Sequence, residues 1–394
     1  MSTSTPMQCS SPAELLQQLH AQSQILVCLQ WLCDFQVLAC IPLKQMLAFH
    51  DVADLVNVPE DHLTRVVRMV ATVPFLSEPI PGFVAHNQLS ADFVARLSSS
   101  DALSFICDVS LPSALHMSRA TRFYGASEQP LESSFSLQSG STKTILSACE
   151  QDSKFRRQLS ALDETLAASS AGQFKELLLG LDWASMKGNN LVVLIGARST
   201  ELLDVANTLT ERFSSLSTVI QSWEHIPHGE ILELKTSLSS VLGGTPTTPG
   251  MAGDRLRVQT RYLGSQQNIY NAAVYILKVP VPSVFVQHKV VLSQVVAELR
   301  AHRSILKANP AATLILVAWM VPTVVGVLDP KTEAALRCRD LVLHQLANQR
   351  NLEFQDLAAA ISGIEDGVGR LVFQTKSTNQ SNSMIALEIK YQKD

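Results

Sequence analysis

Several common signatures are missing from this chain, and each absence removes a class of function. No apolar run reaches the roughly 20 residues that a membrane-spanning helix needs. The longest nearly uncharged stretch, Thr313 to Leu328, is interrupted by Pro322 and reads as a core strand with its exit loop. Met1 to Pro12 is polar and Ser/Thr-rich, without the basic flank and apolar segment of a secretory signal, so an intracellular compartment is expected. The seven cysteines (Cys9, Cys28, Cys33, Cys40, Cys107, Cys149, Cys338) form no C-x-x-C pair. An odd number in a reducing compartment argues against a disulfide framework and for buried thiols. No G-x-S-x-G elbow and no P-loop is present. Positive charge is also short: 31 basic against 35 acidic side chains leave a net charge of -4 and no general footprint for a phosphate backbone.

What is present is enough apolar material, 46% of 394 residues, for two or three domains with a substantial core. Residues 13 to 43 read as helical, with Leu15, Leu16, Leu19, Ile25, Leu29, Leu32 and Phe35 near helical spacing. Cys28, Trp31, Cys33 and Phe35 make the second half apolar nearly all round, so it should be covered on several sides, as in a dimer or interdomain seam. A metal site at Cys28 and Cys33 is the sharper reading, but it lacks a second ligand pair nearby.

Phe49 to Val94 is the most legible stretch. A short helix, Asp51 to Val56, precedes Asn57-Val58-Pro59-Glu60 and a longer helix to about Val73. Pro59 suits a first helical position, Glu60 and Asp61 favour the positive helix end, and Leu63, Val66, Val67 and Val70 line one face. Two short strands, Phe75 to Glu78 and Phe83 to His86, flank a Pro79/Pro81/Gly82 turn, and Ser90 should cap the next helix. Helix, turn, helix and wing together predict a winged-helix unit. Its charge disfavours DNA: four acids (Asp51, Asp54, Glu60, Asp61) face two arginines (Arg65, Arg68), whereas a groove-reading helix is basic. A protein-binding or dimerising role is expected.

Ser133 to Ser141 reads as a Ser/Gly-rich loop, with helices resuming through Leu179. From Leu191 apolar strands (Leu191 to Ile195, Thr218 to Gln221, Ala272 to Leu277, Thr313 to Trp319) alternate with helices, notably Glu201 to Phe213 and Val290 to Lys307. That alternation specifies a doubly wound parallel α/β sheet. Leu371 to Gln374 and Ala386 to Tyr391 should add an antiparallel edge, and Gly243 to Gly253 should be an exposed loop. The expected domains are a disordered 1–12, a helical and winged-helix dimerisation domain 13–130, a linker with helices 131–180, and a Rossmann-like domain 181–394.

A winged helix followed by such a sheet resembles the plant and fungal small-molecule O-methyltransferases, over nearly the whole chain. Leu181-Asp182-Trp183 is similar to that family's approach to its cofactor loop. The resemblance implies a class I methyltransferase-type fold, an acid and glycines after the first strand, a ribose-binding Asp after the second, and a catalytic His after the fourth. The functional positions do not match. Leu194 stands where the acid belongs, and of the glycines only Gly196 remains, followed by Ala197, Arg198, Ser199 and Thr200. Side chains at Ala197, Arg198 and Thr200 would fill cofactor space. Ser222 replaces the ribose-binding Asp, Tyr262 a further acid, and Pro282, which cannot accept a proton, the His. The later acidic position falls in Asn348-Gln349-Arg350-Asn351, with no carboxylate expected near Asn351. His288 could be a displaced base, but a solvated loop histidine is the preferred reading. His225 and His228, with Glu224 and Glu230, offer a metal reading that lacks a third ligand, in a loop containing Pro227 and Gly229. No catalytic, cofactor-binding or metal residue is therefore assigned, and no cofactor is expected.

A narrower resemblance rests on Leu38-Ala39-Cys40-Ile41-Pro42-Leu43, Phe83-Val84-Ala85-His86, Tyr124-Gly125-Ala126-Ser127-Glu128-Gln129, and Ala272-Ala273-Val274-Tyr275 followed by Pro280 and Pro282. From about residue 24 onward these motifs are similar to the aflatoxin-cluster transcriptional coactivator family, without that family's longer N-terminal extension. The resemblance implies a noncatalytic coactivator that binds a cluster-specific zinc binuclear transcription factor and promotes expression of an aromatic polyketide gene cluster. It implies the nucleus, with a cytoplasmic pool, although no clear basic import run is present. A homodimer is expected, with no direct nucleic acid or membrane partner. The alternative is a methyltransferase-fold enzyme that acts on a polyketide-like substrate without S-adenosylmethionine, through shape alone in an interdomain pocket.

Overall fold

The computed structural model describes residues 11–168, 172–183, 190–197, 199–223 and 255–394. The expectations for residues 1–10, for Arg198, for the histidine pair in 224–230 and for the loop 243–253 lie outside them, as do the side chains of Ser199 and Thr200. The chain divides into two units, Met1–Ser169 with Leu341–Asn348, and Ser170–Asp340 with Gln349–Asp394.

In the first unit, helix α1 (Pro12–Asp34) starts where Ser11 Oγ accepts the Glu14 N–H at 3.2 Å and Pro12 supplies a preset φ. The single helical stretch read over 13–43 is instead broken at Gln36, whose φ of 54° is left-handed, before the short α2 (Val37–Cys40). The break turns Val37 and Leu38 into the core beside Leu32, while Leu16, Leu19, Val27 and Phe35 stay exposed.

Strand β1 (Leu47–Ala48), not anticipated from the sequence, leads into α3 (Phe49–Val56) and α4 (Glu60–Val70). Asn57 closes α3 in the left-handed region, and Pro59 is the cap of α4 rather than its first helical residue. Leu63, Val67 and Val70 are fully buried in one cluster with Leu32, Val37, Val52 and Val84. Strands β2 (Leu76–Ser77) and β3 (Phe83–His86) form the wing, with β1 completing a sheet in the order β1-β3-β2. Arg68 clamps Glu78 through two 2.9 Å bonds and the Gly82 N–H adds a third at 2.8 Å, tying α4 to the wing turn. These donors pull the Glu78 carboxyl down to about 2.

Helix α5 (Gln88–Ala95) is capped by Asn87 and not by Ser90, which instead closes the reciprocal capping box. Then follow α6 (Leu97–Phe105), a π-helical turn (Ile106–Ser110), α7 (Leu111–Leu115) and α8 (Met117–Tyr124). Within the stretch read as a Ser/Gly-rich loop lies α9 (Ser134–Gln138), with Ser133 Oγ accepting the Ser136 N–H at 3.1 Å. Buried Phe135 holds this weak helix former in place, its ring 6.0 Å from Phe155. Helices α10 (Ile145–Gln151) and α11 (Ser153–Ala168) follow.

The second unit begins with α12 (Gln173–Leu179) and a seven-stranded sheet in the order β6-β5-β4-β7-β8-β10-β9. Strands β4 (Leu191–Gly196), β5 (Ser217–Ser222), β6 (Leu256–Thr260), β7 (Val274–Lys278) and β8 (Thr313–Trp319) are parallel. The antiparallel pair is β9 (Gly369–Thr378) and β10 (Met384–Lys393), with β10 inserted beside β8 and β9 outermost. Helix α13 (Ser199–Arg212) follows β4, and α14 (His288–Ala308) follows β7. Helices α15 (Pro330–Ala347) and α16 (Phe354–Ser362) come after β8. Strand β6 and these last two helices were not resolved from sequence.

Alternation along each strand builds two cores. Val193, Ile195, Tyr275, Leu277, Leu314 and Leu316 pack with α14 and α16, through Val291, Val295, Leu299, Leu357 and Ile361. Val192, Leu194, Ile276, Ile315 and Val317 pack with α12 and α13, through Phe174, Leu178, Leu202 and Ala206. Covered on both faces, the strands read as continuous apolar runs. No helix among the described residues is long and apolar enough to cross a membrane.

Candidate functional site

In an open α/β sheet the ligand-binding end lies beyond the carboxyl ends of the parallel strands. Here those ends are Gly196, Ser222, Thr260, Lys278 and Trp319. Leu194, at the expected acid position, is fully buried in the apolar cluster of α12 and α13. Gly196 ends β4, and a Cβ there would lie 3.5 Å from Leu202 Cδ1 and from Lys278 Cβ, an ordinary contact. Its carbonyl accepts the Trp223 N–H at 3.2 Å. Ser222 is fully buried, with its hydroxyl 3.5 Å from the Ala197 carbonyl. The ends of β4 and β5 are thus joined to each other by backbone and hydroxyl.

At the end of β7 the Lys278 ammonium pairs with Glu201, in the first turn of α13, and sits 5.0 Å from the centre of the Phe174 ring. This pair was not anticipated. Its members are 77 residues apart, so no local pattern marks them. Chemically it is a cation held by a carboxylate and an aromatic face, with the Glu201 carboxylate engaged by the ammonium. Trp183 is buried, its indole N–H donating to the Leu178 carbonyl at 2.8 Å, which makes it a packing residue.

Two sequence expectations are corrected here. His288 is neither solvated nor in a loop: it opens α14, is 5% exposed, and its Nδ1 lies 2.9 Å from Gln349 Oε1. The helix begins two residues before the predicted Val290, which draws the ring into the interior. A carboxylate does stand at Asn351, because Asp340 Oδ1 accepts both its backbone N–H at 2.9 Å and its side-chain N–H at 3.0 Å. Arg350 holds Asp356 through bonds of 2.7 and 3.0 Å, and with the peptide N–H of Glu353 it lowers that carboxyl. These carboxylates are engaged by Asn351 and Arg350, and His288 lies near enough to Asp356 to help lower it. Pro282 is buried in the loop after β7, and Tyr262, beyond β6, is 84% exposed.

A second polar constellation lies on the α14 face. Arg261 pairs with Glu298 and donates to the Ser265 carbonyl, and the Gly264 N–H reaches the other Glu298 oxygen at 2.7 Å. Gln267 and Gln221 exchange amide bonds of 2.7 and 2.8 Å, and Gln267 Nε2 lies 3.0 Å from His302 Nε2. His302 Nδ1 lies 2.7 Å from the Glu298 carbonyl. Burial pushes the Glu298 carboxyl up against the pull of Arg261, and pushes His302 down to about 4. Glu298 and His302 share the helical stripe of Val291, Val295 and Leu299, two titratable side chains at core spacing that the sequence displayed.

Among the described residues no group of three or more His, Cys, Asp or Glu is placed to hold a metal ion. Burial raises the Cys107 and Cys149 thiols to about 11. Where buried thiols were expected, only Cys149 of the described cysteines is buried, Cys28, Cys33, Cys40 and Cys107 are half-buried, and Cys338 is exposed.

No protein-family model matches the chain. Among solved structures, mitomycin 7-O-methyltransferase MmcR superposes with a TM-score of 0.57 at 17% identity, covering 96% of this chain and 98% of that one. The riboflavin-analogue dimethyltransferase RosA from Streptomyces davawensis gives 0.64 at 13%, covering 97% and 100%. A pericyclic-reaction enzyme gives 0.61 at 10%, covering 97% and 90%. These place the fold among class I O-methyltransferases and carry no more than the fold. Among sequences, the monodictyphenone cluster transcriptional coactivator of Emericella nidulans is 37% identical, over 97% of this chain and 85% of the relative. A transcriptional coactivator of Pseudocercospora fijiensis is 38% identical, over 94% and 97%. The geodin cluster transcriptional coactivator of Aspergillus terreus is 37% identical, over 95% and 94%. At such identity over nearly its whole length, the chain belongs to the family of fungal biosynthetic-cluster transcriptional coactivators with an O-methyltransferase-like fold.

Proposed function

We propose that this protein is a noncatalytic coactivator that raises transcription of a fungal secondary-metabolite gene cluster. The observation that carries the reading is the full-length similarity to relatives named for that role. The strand ends support it. S-adenosylmethionine does not fit them: an apolar Leu194 stands at the acid position, a Ser222 hydroxyl at the ribose position, and an already paired Lys278 at the end of β7. Pro282 offers no proton acceptor, and the carboxylates at Asp340 and Asp356 are held by Asn351 and Arg350. The retained fold then serves as a scaffold for surfaces.

The partner in this reading is a zinc binuclear-cluster activator of an aromatic polyketide cluster, met in the nucleus. The winged helix offers little DNA grip, since Arg68 is occupied by Glu78 and α3 and α4 together carry four acids against two arginines. The exposed apolar residues of α1 (Leu15, Leu16, Leu19, Val27) and Phe35 are the surface for a second copy of the chain. Affinity purification of the tagged protein from nuclear extracts of a producing culture tests the partner. The activator should co-elute, and its absence from a nuclear eluate rich in the bait would overturn the reading.

A further inference from the structure

The second unit carries a polar cleft far in character from the strand-end site. It is open to solvent, offers about 300 Å³, and is lined by Arg300, Ala301, Arg303 and Ser304 of α14 with Gly264 and Gln266 of the loop joining β6 to β7. Arg300 and Arg303 are three residues apart, so they project from one side of the helix. The lining thus contains two guanidiniums and no carboxylate, in a chain whose net charge is -4. Arg303 gives one N–H to the Glu365 carbonyl at 2.7 Å, which orients its fork without neutralising it.

The far wall is rigid. Glu298 binds the loop through Arg261 and the Gly264 N–H, while Gln267 is locked to Gln221 and His302. Gly264 has a φ of +72°, and a Cβ there would stand 3.0 Å from the Ala297 Cβ, so only glycine lets the loop lie this close to α14. The same loop presents Tyr262 and Tyr270, 84% and 59% exposed, near its two ends. A preorganised wall, paired guanidiniums and exposed tyrosines are the composition of a protein-recognition hot spot.

We propose that this cleft binds an acidic peptide segment, its Asp or Glu carboxylates taken by the forks of Arg300 and Arg303. The volume suits one or two side chains and is at the small end for a cofactor pocket. Two arginines are too few to track a nucleic-acid backbone, which rewards each neutralised phosphate. Planar guanidiniums pair bidentately with carboxylates, which sets the chemistry of the occupant. The inference is read from the second unit alone and does not depend on the transcriptional role.

The test uses the purified full-length chain and a short fluorescein-labelled peptide of alternating Glu and Ser, followed by anisotropy. Saturable binding is expected, weakening with added salt and falling by roughly tenfold or more in Arg300→Glu, a substitution at an exposed position. Arg303→Lys should weaken binding less than Arg303→Glu, because the charge stays while the fork is lost. A matched Lys/Ser peptide should not bind. No saturable binding by the wild type, or wild-type affinity retained in both Arg300→Glu and Arg303→Glu, would overturn the proposal. Binding of inorganic phosphate without binding of the peptide would make this a small-anion site and would equally overturn it.

Discussion

Acidification should weaken this protein through one buried histidine. His302 is fully buried, with Nδ1 2.7 Å from the Glu298 carbonyl and Nε2 3.0 Å from Gln267 Nε2. Gln267 Oε1 already accepts from Gln221 and from the Ile269 N–H, so its nitrogen faces the ring and can only donate. The His302 Nε2 must therefore accept, Nδ1 carries the proton, and the native ring is neutral. A second proton would confront the Gln267 donor and add charge near Arg261. Burial accordingly lowers the pKa from 6.5 to about 4. A group depressed on folding stabilises the native state above its unfolded pKa, and that stability is lost as pH falls toward the native value. Over the window from 6.5 to about 4 the loss is about 3 kcal/mol. Glu298, raised by burial, acts with the opposite sign, gaining stability as pH falls. A comparison of wild type with His302→Leu separates the two. Urea unfolding by tryptophan fluorescence should find the variant less stable at neutral pH by roughly 1–3 kcal/mol, because Gln267 loses its acceptor. The gap should close as pH drops toward 4.5. Parallel pH profiles for the two proteins would refute the reasoning.

Glu298→Ala leaves the Arg261 charge buried and unpaired, and should cost roughly 3–5 kcal/mol in urea unfolding, with Arg261→Met/Glu298→Leu recovering much of it. Calorimetry with S-adenosylmethionine should give no saturable heat, and one-to-one binding in the micromolar range would contradict the lost-site reading. Light scattering should report a dimer that Leu16→Asp or Leu19→Asp splits, both positions being exposed on α1; a monomeric wild type would refute it. Leu32→Asp is not a test of dimerisation, because Leu32 is fully buried in the monomer and the charge would unfold it. Gly196→Ala should leave stability nearly unchanged, since its Cβ meets neighbours at 3.5 Å, whereas Gly196→Trp has no room beside Leu202 and Lys278; thermal melts distinguish them.

The sheet was legible in the sequence because coverage on both faces makes β4 and β8 uninterrupted apolar runs, which few other elements produce. Strand β6 escaped because it is an edge strand whose Arg257, Gln259 and Thr260 break the apolar pattern. Helix α9 escaped because its serines favour loops, and only the burial of Phe135 overrides that preference. At the strand ends, replacements could be read one residue at a time, since Leu194 and Pro282 declare by type what they cannot do. The contacts formed in their place could not: Lys278 with Glu201 and Asn351 with Asp340 are brought together by tertiary packing. The buried partners at Glu298 and His302 were open to inference from their spacing on a core-facing stripe.

The most direct test measures cluster transcripts in a strain deleted for this gene and complemented with Glu201→Gln/Lys278→Met, which replaces the charged pair at the strand ends with neutral side chains of similar length. Deletion should lower transcripts across one biosynthetic cluster, and the double variant should restore them as fully as the wild type. Unchanged transcripts on deletion, together with accumulation of a single pathway intermediate, would contradict the account and make the protein an enzyme.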